Sequence, residues 1–290
     1  MQETQHFSIR TLALSVAAAE LGRAILSTGQ GSALRTKILA GILASVALVF
    51  LAALARANAS RLQQKHFLPR CIRCAFLLWY LAEFLRTAKM IQQVCWEEFL
   101  SMTFVGLLPL FLWAGWNLRG ELFDRSAVIL WWLMAAGSVF CVLGLSGQFH
   151  WQDLMSGQTG SALALPETVL YPEYFSFPIL CSGRKTSGRS EKMFWGLPII
   201  SFAISSGYAL GQGLLFGQPS GEVQGSYPGR ELLRAWSFGG ISRFDSAFLL
   251  IWLAAALFRL CFLLRAVRFL AETIISRPGY RGQSDPEAAR

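Results

Sequence analysis

Two stretches of this chain place acidic side chains where the backbone is poised to break. The first, Ala162 to Lys192, reads ALALPETVLYPEYFSFPILCSGRKTSGRSEK and begins as an apolar run of membrane-spanning size. Pro166, Pro172 and Pro178 interrupt it, with Glu167 and Glu173 inside the run. A proline removes a backbone donor and clashes with the preceding turn, so three at this spacing exclude one unbroken helix. The second stretch is shorter: Gly22 lies between Glu20 and Arg23 near the end of an apolar segment. Broken backbone inside a bilayer persists only against protein or a water-filled cavity, and a carboxylate there marks a site by default. An unwound turn exposes amides and carbonyls that can hold the carboxylate and amine of an amino acid.

Other polar residues stand where they could join such a site. Tyr80, Glu83 and Arg86 share one face of a third apolar segment, either as ligand contacts or as interhelical packing. Tyr171 precedes the break at Pro172, and Arg259 is the single charge in a long apolar segment near the C-terminus. An arginine there keeps its charge, so its work is fixed charge, anion binding or ion pairing. The candidate ligand-binding set is therefore Glu20, Gly22, Arg23, Tyr80, Glu83, Tyr171, Glu173 and Arg259. Glu20 can equally pair with Arg23 three residues on, and Glu173 with Arg259 or Arg86.

The elements that must position these residues follow from composition. The 290 residues are 54% hydrophobic and 15% charged, with mean hydropathy +0.44. A soluble domain carries about 25% charged residues. Apolar blocks near twenty residues long imply an all-α polytopic membrane protein. Eight can be drawn: Ile9 to Thr28, Ile38 to Ala55, Ala75 to Val94, Phe99 to Trp116, Ser126 to Leu145, the broken stretch, Phe194 to Phe216, and Ala247 to Leu264. The first reads as a transmembrane helix, with a short signal peptide as the rival reading. Serines and glycines in the seventh favour close helix packing.

Net charge is +9, but the cations lie in short connections between apolar blocks rather than on a soluble basic face, so nucleic-acid binding is not expected. With the N-terminus inside, sixteen cations fall in inner segments against five in outer ones, giving cytoplasmic N- and C-termini. Residues 1–276 then form a single transmembrane domain, and 277–290 a disordered cytoplasmic tail. In the last outer loop, Leu232, Leu233, Trp236 and Phe238 read as a short helix at the membrane interface. The tryptophans at 131, 132, 195 and 252 read as interfacial belt residues. Cys71 and Cys74 form a CxxC without a second pair, so no metal site and no cofactor are expected. No nucleophile elbow, Walker loop or HExxH is present, and an enzyme is not expected.

Several stretches together resemble the endospore germination permeases, the B subunits of nutrient germinant receptors within the amino acid–polyamine–organocation superfamily. The sharpest is YPGRELLRAWSFGGISRFDSAFLLIWLAAALFRLCFLLRA, from Tyr227 to Ala266. Asp245 stands where that family usually has Glu, and Arg259 where Lys is common. VLYPEYFSFPILCSGRKTSGRSEK resembles its sixth helix with Glu173 at the acidic position, LAEFLRTAKMI the end of its third, and RGELFDRSAVIL the start of its fifth. The resemblance implies a truncated form of the five-plus-five inverted-repeat transporter fold, with broken helices 1 and 6 and eight spans rather than ten. It also departs from the family in a shorter link between the second and third helices, and in Arg23 at the first break. The implied function is that of a germinant-receptor subunit in a spore inner membrane or cytoplasmic membrane. It would bind a small nutrient, such as an amino acid, and act with an A-type membrane subunit and a C-type lipoprotein. An amino acid or amine secondary transporter and a membrane scaffold without ligand binding are the alternatives.

Overall fold

The computed structural model describes residues 7–26, 34–57, 67–99, 103–149, 171–180, 188–216, 232–235 and 245–275. Among these residues all regular secondary structure is helical, with no strand. The principal helices are α1 (Ile9–Ile25), α2 (Leu34–Ala57), α3 (Phe67–Phe99), α4 (Thr103–Asn117), α5 (Gly120–Leu145), α6 (Glu173–Leu180), α7 (Gly188–Phe216) and α8 (Asp245–Ile275). Each falls on one of the eight apolar segments. Two, the stretches Gly120–Gln148 and Asp245–Ile275, are long and apolar enough to cross a membrane.

Several helices run well past the apolar blocks. At 1.5 Å per residue α8 is about 46 Å long and α3 about 50 Å, against about 30 Å of bilayer hydrocarbon. Arg70, Arg73, Arg265 and Arg268, expected in loops or the tail, therefore lie within helices. Their long stems cover apolar surface: Arg265 stacks over the Phe123 ring at 4.5 Å and Arg268 over Trp116 at 4.6 Å.

The centre of the molecule is the pair α1 and α8. The first packs on α5, α6, α7 and α8, and the last on α1, α3, α4 and α5. All of α1 is buried except Arg10, Arg23 and Ala24. Its start is capped at Ser8, whose hydroxyl accepts from the Thr11 amide at 3.3 Å. Large apolar side chains point outward instead: Leu43 is 71% exposed, Trp132 69% and Trp113 68%. Buried positions hold Glu20, Glu83, Glu173 and Arg259. Charge inside and hydrocarbon outside reverses the order found in water-soluble domains.

Three expectations change here. The first helix is not broken at Gly22: α1 continues to Ile25, and the Leu26 amide donates to the Gly22 carbonyl at 3.0 Å as in any helix. The reason is packing. A Cβ on Gly22 would meet the Met90 methyl, and would come within 2.7 Å of Trp252 Cζ2. Glycine is present so that two neighbours can close on the backbone, which offsets the roughly 1 kcal/mol it costs in a helix. Trp252 is accordingly not a belt residue but is buried, its indole N–H donating to the Ala18 carbonyl at 3.0 Å. Trp132 does face outward.

Of the expected interfacial helix, a helical turn at 232–234 is described, while Trp236 and Phe238 lie outside the described residues. Leu232 and Leu233 are buried against protein rather than turned away from it. Leu232 sits 3.3 Å from where a Cβ on Gly211 would stand, which is the close packing expected of the small residues in α7. Gly207 and Gly196, by contrast, have open space around them. The tail 277–290 and Glu167 lie outside the described residues.

Substituting Gly22→Leu should destabilise the protein by about 1–3 kcal/mol, because the indole against Gly22 cannot retreat without breaking the Trp252–Ala18 bond. Thermal unfolding in detergent, with Gly207→Leu as the neutral control, measures this.

Candidate functional site

The sixth segment supplies the first element of the site. Tyr171 is non-helical, Pro172 opens a turn, and α6 starts at Glu173. The Pro172 carbonyl accepts from the Phe175 amide at 3.1 Å and from Ser176 at 3.0 Å. Proline suits this position because its missing N–H falls among the donors a helix start leaves unpaired anyway. It also places the Glu173 carboxylate in the first turn, at the positive end of the helix dipole. The flanking parts of the stretch, 162–170 and 181–187, lie outside the described residues.

Around Glu173 the bundle assembles a charged node. Arg259, 0% exposed, reaches in from α8. Its Nη1 donates to Glu173 Oε1 at 2.8 Å, to the Ser15 carbonyl at 2.7 Å and to the Ser15 hydroxyl at 3.1 Å. Nη2 donates to Glu83 Oε2 at 3.1 Å, and Nε to Thr87 Oγ1 at 3.2 Å. Ser15 in turn donates to Glu173 Oε1 at 2.8 Å. The guanidinium carbon stands 5.1 Å from the centre of the Tyr171 ring. Beside the node the Tyr80 and Ser176 hydroxyls share a hydrogen bond at 2.5 Å. Glu83 turns its other oxygen to Arg86, which bridges from the half-exposed side of α3 at 3.0 Å. Arg86, Glu83, Arg259 and Glu173 thus form a neutral chain of alternating charge through α3, α8 and α6.

A second cluster lies five residues, about 7.5 Å, further along α1. Buried Glu20 accepts from Arg23 Nη2 at 2.7 Å and Nε at 3.0 Å, and from the Ser201 hydroxyl of α7 through its other oxygen.

The structure thus brings Tyr80, Glu83, Tyr171, Glu173 and Arg259 into one node. It pairs Glu20 with Arg23 alongside, and gives Gly22 a packing role. The pairings weighed for Glu173 resolve to Arg259, with Arg86 taken by Glu83. Ser15, Thr87, Ser176 and Ser201 escaped the sequence reading. Two of them left a signal. Ser15 is the lone hydroxyl in the run LALSVAAA, and Thr87 lies one helical turn beyond Glu83 on the same face.

Chemically the node combines charged groups with hydroxyls. It offers a fixed cation whose carboxylate partners can be exchanged, and Glu173 Oε2, a buried acceptor without a hydrogen-bond partner among the described residues. A ligand carboxylate can compete with Glu173 for Arg259, and a ligand ammonium can take the unused oxygen. No protein-family model, curated protein or solved structure matches the chain.

Removing the cation alone should be costly. Arg259→Met leaves the buried Glu173 carboxylate without an ion-pair partner and Glu83 with Arg86 alone, an expected loss of about 3–5 kcal/mol. The triple variant Arg259→Met, Glu173→Gln, Glu83→Gln should recover most of it. Midpoints of thermal unfolding for the two proteins, compared with the parent, test the pairing.

Proposed function

We propose that the chain is the permease-like membrane subunit of a germinant receptor. It has eight spans, with both termini on the cytoplasmic side of a spore inner membrane or cytoplasmic membrane. It binds a small nutrient, an amino acid in the first instance, between α1, α3, α6 and α8. Its signal passes to an A-type membrane subunit and a C-type lipoprotein. The observation that carries this reading is the node: one buried arginine held by α1, α3 and α6 at the point where α6 starts inside a proline-broken segment. The sequence resemblance supplies the receptor context. Outward hydrocarbon, inward charge and the loop-cation bias support the membrane setting.

In this reading the closed node is one of two states. A ligand that replaces Glu173 at Arg259 releases the start of α6 from α1 and α8. The bias it imposes equals its differential affinity for the two arrangements.

One observation favours a second reading. Every nitrogen of Arg259 is already bonded within the protein, as in a scaffold whose node only holds helices together.

A thermal-shift screen of the purified chain against amino acids, sugars and nucleosides separates the two. A true ligand at a hundred times its Kd is expected to add about 2.7 kcal/mol, and Glu173→Gln, which weakens the competitor for Arg259, should lower the Kd of a ligand carboxylate. Folded protein that responds to none of them decides for the scaffold. Uptake of labelled amino acid into proteoliposomes by this chain alone would instead identify a transporter.

A further inference from the structure

Away from the node, the beginning of α3 and the end of α8 leave an open groove of about 540 Å³, lined by Arg70, Cys71, Cys74, Ala75, Leu78 and Ile274. Its walls are apolar apart from Arg70. Arg70, Cys71, Cys74, Ala75 and Leu78 are exposed, and all five come from one side of α3. The two helices are held at this level by Arg73, which donates to the Thr273 carbonyl at 3.4 Å. Arg70 makes no hydrogen bond or ion pair with any described residue. The groove is therefore an apolar slot with an uncommitted cation at one end and Leu78, two helical turns along, at the other.

We propose that this groove binds an anionic glycerophospholipid, with an acyl chain along Ala75, Leu78 and Ile274 and its phosphate on Arg70. The inference rests on the membrane placement proposed above. Charge complementarity selects the occupant. Basic pockets between helices at the cytoplasmic edge take anionic headgroups, and an arginine fork matches phosphate oxygens in pairs. A zwitterionic lipid also carries a phosphate, but its ammonium offsets the attraction. A second copy of the chain would bring no negative partner for Arg70 from this same surface, because no acidic residue lines it. The place matters for the rest of the fold, since α8 carries Arg259 four turns before Ile274. A lipid seated here would hold the end of α8 against α3 and so steady the node.

The full-length protein, reconstituted in nanodiscs of phosphatidylcholine with increasing phosphatidylglycerol, is released into the gas phase and its retained lipids are counted by native mass spectrometry. Retention of phosphatidylglycerol over phosphatidylcholine is expected, with about a fivefold loss of preference in Arg70→Gln, the value of one cation at an anionic surface. Ala75→Trp, which fills the slot at an exposed position, should lower retention of both lipids. Equal retention of the two lipids, or an unchanged preference in Arg70→Gln, overturns the inference, as does dimer formation that excludes lipid. Flotation with liposomes is the separating control. Protein that fails to float refutes the membrane placement itself, whereas floating protein without lipid preference refutes only the groove.

Discussion

A guanidinium that stays charged at every accessible pH sits at the centre of this protein with no access to solvent. Taking such an ion out of water costs several kcal/mol even after relaxation, and only near-ideal partners repay it. Arg259 finds them on three helices: the Glu173 carboxylate of α6, the Glu83 carboxylate and Thr87 hydroxyl of α3, and the Ser15 carbonyl and hydroxyl of α1. Apolar packing alone leaves the rotation of a helix loosely determined when its outer face is also apolar. The arginine removes that freedom, because each of its partners must arrive in register.

The rest of the bundle can be understood as support for that register. The Trp252 indole hooks the α1 backbone at Ala18, two turns from Arg259 along α8. The missing side chain of Gly22 lets the ring lie close, and the Phe123 and Phe258 rings stack at 4.3 Å to join α5 to α8. Arg265 follows by donating to the Leu118 carbonyl, in the short link between α4 and α5. About every second turn of α8 therefore carries a polar fastening to a neighbouring element. Between them the contacts are apolar and tolerant of shape.

Much of this was legible in the amino-acid sequence, for definite reasons. Contiguous apolar blocks located the helices, because burial on all sides or an apolar surround demands them. Their ends were not legible, because residues such as Arg70 and Arg268 continue a helix while reading as loop cations. Gly22 was mistaken for a break since propensity is local, whereas the ring that needs the glycine comes from a residue 230 positions later in the chain. The partner of Glu173 stayed open for the same reason: it lies 86 residues away, and no periodicity links them. Residue type identified the charges that had to be answered, but only the fold showed which answers which.

The order of these residues along the chain has a consequence for biogenesis. The acceptors precede the donor: Ser15 is made 244 residues before Arg259, and Glu173 is made 86 before it. At about 5–20 residues per second of synthesis, Ser15 waits on the order of ten to fifty seconds for its partner. During that interval the carboxylates of α3 and α6 have no arginine from α8 to answer them. Arg259 then arrives to answer Glu173 and Glu83, and a bundle that has not received α8 is chemically distinguishable from one that has. In this protein a single residue of α8 supplies the cation on which α1, α3 and α6 converge.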